Sequence, residues 1–333
     1  MSGRFTIQVG DTQVSAQLLE EEAPQLSQCM WENLPIEGFS VHAKFAGREI
    51  IVMVPFYAEP ENEILNVQPG DIGYYPGRQT ICIFYGDTQP FGYVSVFARI
   101  VDGLDRLMAA GDQLLREGML PVNLTREEDE RDEAGHQTQH GLKAESGSTG
   151  TAFTHLLCGS SLEPDIYYER ALGEQESSTA HTLSELRAFL TRNWRDEPAD
   201  IAALRPVSRP PMGNLPCSFY ANFNLFWLGE ELQVCRQQVK DGIIPLQMVC
   251  QVIAGLLERH AARLEKWSMT ETVALVRTLA RYFKGNSPAT TEEFLAAAEL
   301  AMLALDRVQS WIDGLLPWNE LDSHLSLHRP INN

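Results

Sequence analysis

Pro69-Gly70-Asp71-Ile72-Gly73-Tyr74-Tyr75-Pro76-Gly77, followed by Ile81-Cys82-Ile83-Phe84-Tyr85-Gly86, is a turn rich in glycine and proline that feeds a run of β-branched and aromatic residues. This pattern reads as a loop entering a buried strand. Two adjacent tyrosines and Arg78 sit on the loop. Rigid hydroxyl donors and a fixed cation beside a strand mouth suit a site for small anionic molecules.

Upstream, Phe5 to Val9 and Val14 to Leu18 alternate polar and apolar residues around Gly10-Asp11, a hairpin signal. Pro24 is placed to open a helix whose apolar face is Leu26, Met30, Trp31 and Leu34, with Pro35 as its stop. Phe39 to Phe45 alternate again: Phe39, Val41, Ala43 and Phe45 face one way, Ser40, His42 and Lys44 the other. Ala46-Gly47 turns into a nearly all-apolar segment from Glu49 to Phe56. Tyr93 to Ile100 reads as a further strand, and Val101 to Glu117 as a short helical exit. Repeated short strands with one clear early helix predict a closed β-barrel over residues 1–120.

The chain then changes character. Arg126 to Glu133 is a block of charge and Ser146 to Gly150 is small and polar, so residues 121–150 read as a charged flexible linker. Residues 151–333 read as a mixed strand and helix extension. Thr182-x-x-Glu185 is a capping box before Leu186 to Leu190, and Leu204 to Pro216 is a proline-rich connector. Cys217 to Val239 looks strand-like, with a turn at Leu228-Gly229-Glu230. Three amphipathic helices follow: Leu246 to Trp267, Ser268-x-x-Glu271 to about Phe283, and Thr290-x-x-Glu293 to Leu316. They form a bundle over about 245–316, with a face available for homodimerisation. The expected class is α+β: a closed β-barrel followed by a mixed segment and a helical bundle.

The 333 residues are long enough for two domains with their own cores. A net charge of -19 argues against a nucleic-acid backbone or an anionic membrane as partner, but not against small anions, since a few local cations reverse the sign inside a pocket. Met1 to Gly10 lack the pattern of a signal peptide, and no run approaches a membrane span. Six scattered cysteines without a Cys-x-x-Cys pair fit buried thiols in a cytoplasmic protein better than a disulfide framework or a zinc site.

Dinucleotide, Walker, zincin and nucleophile-elbow motifs are absent from the sequence, so neither a cofactor nor a metal is expected. Candidate chemistry comes from polar residues near strand ends. His42 exchanges a proton near neutral pH and Lys44, on the same strand face, holds a carboxylate; the plain alternative is a solvent-facing strand edge. Tyr74, Tyr75 and Arg78 are donors to substrate oxygens or a structural turn. Tyr57 is a donor or a packed barrel tyrosine. Glu59, Glu61 and Glu63 hold a base or form an exposed acidic loop.

The order of elements over residues 5–116, with Ala23-Pro24 opening the helix and Gly70-Asp71 before the strand, resembles the cyclophilin-like barrel of small bacterial proteins. Where cyclophilins carry an arginine, at His42-Ala43-Lys44, this chain offers Lys44. With its helical extension and anionic linker, the whole chain is similar to the cucumopine and mikimopine synthases, opine-forming enzymes of plant-transforming bacteria. That resemblance implies a cofactor-free Pictet–Spengler condensation of L-histidine with 2-oxoglutarate in the transformed plant cell. The chemistry would ask Lys44, Arg48 and Arg78 to hold carboxylates, Tyr57, Tyr74 or Tyr75 to donate protons, and His42 or Glu61 to act as base. A non-catalytic ligand-binding barrel and a prolyl isomerase are the competing expectations.

Overall fold

The computed structural model describes residues 3–43, 46–90, 92–127, 178–207, 215–285 and 288–314. Its first half is a closed antiparallel barrel. The strands are β1 (Arg4–Val9), β2 (Thr12–Leu18), β3 (Ile36–His42), β4 (Gly47–Met53), β5 (Glu63–Ile64), β6 (Asp71–Tyr75), β7 (Thr80–Thr88), β8 (Val94–Asp102) and β9 (Met119–Arg126). They run in the order β2-β1-β9-β3-β4-β7-β6-β8, and pairing of β8 with β2 closes the ring; two-residue β5 is added on β8. Two short helices, α1 (Pro24–Asn33) and α2 (Leu107–Glu117), lie against it.

The sequence pattern explains the closure. Period-2 alternation sends Phe5, Ile7, Val9, Val14, Ala16, Ile50, Val52, Ile81 and Ile83 into one buried core. The Gly10 hairpin pairs β1 with β2 as expected. In the deciding turn Gly70 takes φ 97, a left-handed conformation that a side chain would strain; its N–H donates to Phe84 O and its carbonyl accepts from Ile100 N–H. Asp71 is anchored by Arg99 at 2.8 Å.

Strand β9 was not anticipated. The expected linker began at 121, yet Leu120, Val122 and Leu124 alternate into the barrel core and the strand slots between β1 and β3. Pro121 and the adjoining charge block disguise it. The rest of that linker, from 128 to 150, lies outside the described residues.

Beyond it, every described element is helical: α3 (Ser178–Arg195), α4 (Ala199–Val207), α5 (Leu215–Lys240), α6 (Leu246–Glu265), α7 (Thr270–Gly285) and α8 (Thr291–Gly314). The expected three-helix run corresponds to α6, α7 and α8. The strand expected over 217–239 is instead the 26-residue helix α5. Its aromatic composition favours strand locally, but it packs between α8, α6 and the turn before β7, and tertiary burial overrides propensity. Gly229, read as a turn, lies mid-helix where a Cβ would stand 2.8 Å from the Gly77 carbonyl; the glycine permits the close crossing. Thr182 lies inside α3 rather than capping it. The start of α7 is capped by Asp200, which accepts from Glu271 N–H at 3.0 Å and Thr272 N–H at 2.7 Å, not by Ser268.

The helices cover the outer wall of the barrel. Phe39, Val41, Ala43, Ile51 and Met53 belong to the same core as α3 to α8. Helix α8 is buried on nearly every side from Phe294 to Asp313. Arg236 of α5, 3% exposed, fastens the seam: it reaches Glu59 at 2.7 Å and Glu299 of α8 at 2.6 Å, and its guanidinium lies 4.0 Å from the centre of the Tyr57 ring. No described helix is long and apolar enough to cross a membrane.

Replacing Arg236 with methionine strands the mostly buried Glu299 and leaves Glu59 with Lys240 alone. Stability should fall by about 3–5 kcal/mol, read as a lower denaturant midpoint, whereas Arg277→Met, which removes a surface pair with Glu265, should leave the midpoint near wild type.

Candidate functional site

Where the barrel wall meets α5 and α8 the packing leaves a cleft with about 640 Å3 of open space, part of it continuous with solvent. The barrel contributes Glu49 and Ile51 from β4, Tyr75 from β6, Cys82 from β7 and Arg78 from the turn between β6 and β7. Helix α5 adds Asn222, Phe223 and Phe226, and α8 adds Gln309 and Asp313. The strand period is what places these groups: Glu49 shares the outward face of β4 with Ile51 and Met53, while Ile50 and Val52 fill the barrel.

Arg78 is the electrostatic centre. Its Nη2 donates to Asp313 Oδ2 at 3.3 Å and its Nε lies 4.0 Å from Asp306 Oδ1. Burial opposes the charge, but Asp313, Asp306 and Glu49 hold the guanidinium protonated. A polar chain runs on from it: Gln309 Nε2 donates to Asn222 Oδ1 at 3.1 Å, and Asn222 Nδ2 donates to Asp313 Oδ1 at 2.7 Å.

The acids outnumber the cation. Burial pushes the carboxyl of Glu49 upward, against the lowering effects of Cys82 and Arg78. Burial also raises Glu230, and raises Asp306 well above the usual carboxylate range. Tyr75 is held protonated by burial and then by Glu230, and the Cys82 thiol by burial and then by Glu49. The cleft therefore sets the Tyr75 hydroxyl, the Cys82 thiol and the upward-shifted Glu49 carboxyl beside one guanidinium. Arg78 Nε, both oxygens of Asp306, Glu230 Oε1 and Gln309 Oε1 are buried without a hydrogen-bond partner among the described residues. Of these residues Arg78 and Gln309 line the cleft, where Arg78 Nε offers a donor to a ligand carboxylate and Gln309 Oε1 an acceptor to a ligand N–H. Among the described residues no group of three or more His, Cys, Asp or Glu is placed to hold a metal ion.

Of the residues singled out in the sequence, Tyr75 and Arg78 line this cleft. His42 does not: it is buried beside the barrel core, where Nδ1 donates to Ala43 O at 2.6 Å and Nε2 shares a proton with the Tyr85 hydroxyl at 2.7 Å. Its strand face, read as a candidate site or else a solvent-facing edge, is enclosed at Ser40 and His42. Tyr74 lies inside the barrel, accepting from Ala58 N–H at 3.1 Å and donating to Phe56 O at 3.2 Å. Tyr57 sits at the seam and exchanges a hydrogen bond with Gln233. Glu61 accepts from Leu26 N–H at 2.9 Å, at the start of α1. Arg48 is exposed beside Met108. Lys44 lies outside the described residues. The structure thus separates His42, Glu61, Arg48 and Tyr74 from Arg78 and does not gather them into one cavity.

Sequence reasoning missed Glu49, Asp313 and Gln309. The signals were an acid heading the apolar run Ile50 to Met53, and five polar residues, Asp306, Arg307, Gln309, Ser310 and Asp313, in the otherwise apolar stretch of α8 from Leu300 to Gly314.

Fold and site together define a closed antiparallel barrel with a helical cover and an enclosed acidic cleft at their seam. Residues 5–126 match the model of a family described as "Protein of unknown function (DUF3830)". The solved structure of McbB in complex with tryptophan is similar at a TM-score of 0.65, with 15% identity, covering 96% of this chain and 99% of that one; at this identity the likeness establishes a shared fold. The solution structure of the hypothetical protein AF2241 from Archaeoglobus fulgidus has 25% identity over 38% of this chain and 95% of that one, with a TM-score of 0.31. Comparison with curated proteins gave no match.

The raised carboxyl of Asp306 has a sign that can be measured. Its folded-state proton is held above the ordinary carboxylate range, so its contribution to stability is present at low pH and is lost as pH rises towards the raised value. Asp306→Asn cannot ionise. Its melting temperature should match wild type at the acidic end and lead it increasingly towards pH 9, by roughly 2–4 °C per kcal/mol for a chain of this size.

Proposed function

We propose that this chain is a cofactor-independent condensing enzyme of the Pictet–Spengler type, joining an amino acid that carries a nucleophilic ring to an oxo acid in the seam cleft. The carrying observation is Glu49: a fully enclosed carboxyl, raised by burial, that shares one cleft with Arg78 and Tyr75. The finer reading, from the resemblance to cucumopine and mikimopine synthases, takes L-histidine and 2-oxoglutarate. A fold shared with McbB along nearly the whole chain supports it, since tryptophan, bound in that protein's structure, pairs an amine with an electron-rich ring as histidine does.

The steps ask for the groups that the cleft holds. Arg78 anchors a substrate carboxylate; Asp313 and Gln309 Oε1 accept from the amine. The amine adds to the ketone, and the protonated Glu49 gives its proton to the departing hydroxyl, releasing water and an iminium ion. The ring carbon attacks that iminium carbon, and the Glu49 carboxylate takes the proton which the ring carbon must lose. The proton returns to its donor and no redox partner is required. Tyr75 donates to the ketone oxygen. Holding amine, ketone and ring in contact supplies several kcal/mol of barrier reduction.

Purified protein mixed with histidine and 2-oxoglutarate, without nicotinamide, should yield a dehydrated, unreduced adduct by mass spectrometry. An adduct seen only with a reductant, or none at all, rejects the reading. Glu49→Gln should lower kcat by about 10²–10⁴-fold with little change in KM, Arg78→Lys should chiefly raise KM, and His42→Ala should retain turnover if the cleft rather than the barrel core is the site.

A further inference from the structure

A second concavity lies on the neighbouring face of α5. It is a surface groove with about 710 Å3 of open space, lined by Tyr220, Phe223, Asn224 and Trp227 from α5 and by Arg263, Lys266 and Trp267 from the end of α6 and the turn after it. Residues 220, 224 and 227 fall on one face at i, i+4 and i+7. Phe223 is the one described side chain that lines both groove and cleft.

Two features set this groove apart from an ordinary helix surface. Its aromatics are organised: Tyr220 lies parallel to Trp267, with ring centroids 5.6 Å apart and 9° between planes. Trp227 is held edge-on by Phe226 at 5.4 Å and by Phe223 at 6.2 Å, yet stays 49% exposed. Its cations are also unspent. The chain carries 45 acidic residues against 26 basic ones, so several surface cations are taken up by carboxylates. Arg99, Arg106, Arg192, Lys240 and Arg277 are paired in this way. Arg263 and Lys266 form no ion pair among the described residues.

We infer that this groove is a binding site for a small aromatic acid, its flat ring lying against Trp227 and its carboxylate between Arg263 and Lys266. Charge and ring face address different parts of one molecule: the cations select an anion, and the π-face of Trp227 selects a planar ring over an aliphatic chain of equal charge. The overall charge of -19 restricts the occupant to a small anion, because a longer polyanion would meet the surrounding acids. The site is independent of the chemistry assigned to Glu49 and stands whether or not the seam cleft is catalytic.

Isothermal titration with three probes tests this: 1-naphthoate, cyclohexanecarboxylate with the charge but no flat ring, and 1-naphthylmethylamine with the ring but the opposite charge. Naphthoate should bind one site at least 10-fold tighter than either control, weakening as salt rises because both cations are exposed. Arg263→Gln with Lys266→Gln, and separately Trp227→Leu, should each weaken naphthoate at least 10-fold with unchanged circular dichroism, while Glu49→Gln should not. No naphthoate binding, equal binding of the aliphatic acid, or binding that survives the double variant but is lost in Arg78→Lys would overturn the assignment. So would sedimentation showing that a second copy of the chain covers Trp227 and excludes the probe.

Discussion

Arg78 leaves the barrel on a single turn of 3-10 helix and enters a seam that also holds Glu49, Glu230, Asp306 and Asp313. One guanidinium cannot balance four ionised carboxylates in a region shut off from water, where like charges a few ångströms apart repel strongly. The seam answers the imbalance by raising the proton affinity of its buried acids. Asp313 takes the direct contact with Arg78 and the hydrogen bond from Asn222, while burial pushes the carboxyls of Glu49, Glu230 and Asp306 upward, towards holding their protons. The supply of transferable protons is thus a consequence of charge balance rather than of any single acid.

That balance depends on how closely helix and barrel approach. Gly229 and Gly77 let α5 cross the turn that bears Arg78, and a Cβ on Gly77 would stand 2.5 Å from Glu230 Oε1. A side chain at Gly229 would push the helix outward and admit water to the carboxyls, whereas one at Gly77 would displace the Glu230 carboxyl. Arg236, bonded to Glu59 and Glu299, and Arg307, stacked on Phe39, Trp194 and Trp311, hold the same seam closed from either side. Arg307 has no carboxylate partner among the described residues; it donates to the carbonyls of Asn193 and Trp194, and burial drives its basicity down.

Much of the barrel was legible because its signals are local. The Gly10 hairpin, Pro24 at the start of α1 and the Gly70 turn each specify their own backbone geometry. What escaped was set by distant neighbours. Cys217 to Val239 has strand-like composition and becomes helix because α8 and the barrel wall enclose it. The polar face of β3 was read as either a proton-transfer site or a solvent-facing edge, and β4 as a nearly all-apolar segment. In a barrel with a helical cover both faces are buried, so alternation still tells which residues go together but not which group meets the ligand. His42 on β3 and Glu49 on β4 show the difference: the first turns to Tyr85 beside the barrel core, the second to the covered outer wall.

The interior of the barrel also explains why the cleft lies outside it. Phe5, Phe56, Tyr74 and Phe97 are completely enclosed there and, with Ile7, Leu26 and Met30, fill the space that a ligand would need. An eight-strand barrel is just wide enough to be packed by its own side chains. A binding site must then form on the outer wall, and an outer wall excludes water only if something covers it. The helices provide that cover and add Asn222, Gln309 and Asp313 as well, so the site draws on residues separated by more than half the chain. The barrel alone would leave Glu49 in water with an ordinary acidity, and the helices alone would lack Arg78. Burial of Glu49 therefore requires both halves, and the pairing of barrel with helices along nearly the full length shared with McbB is the arrangement that achieves it.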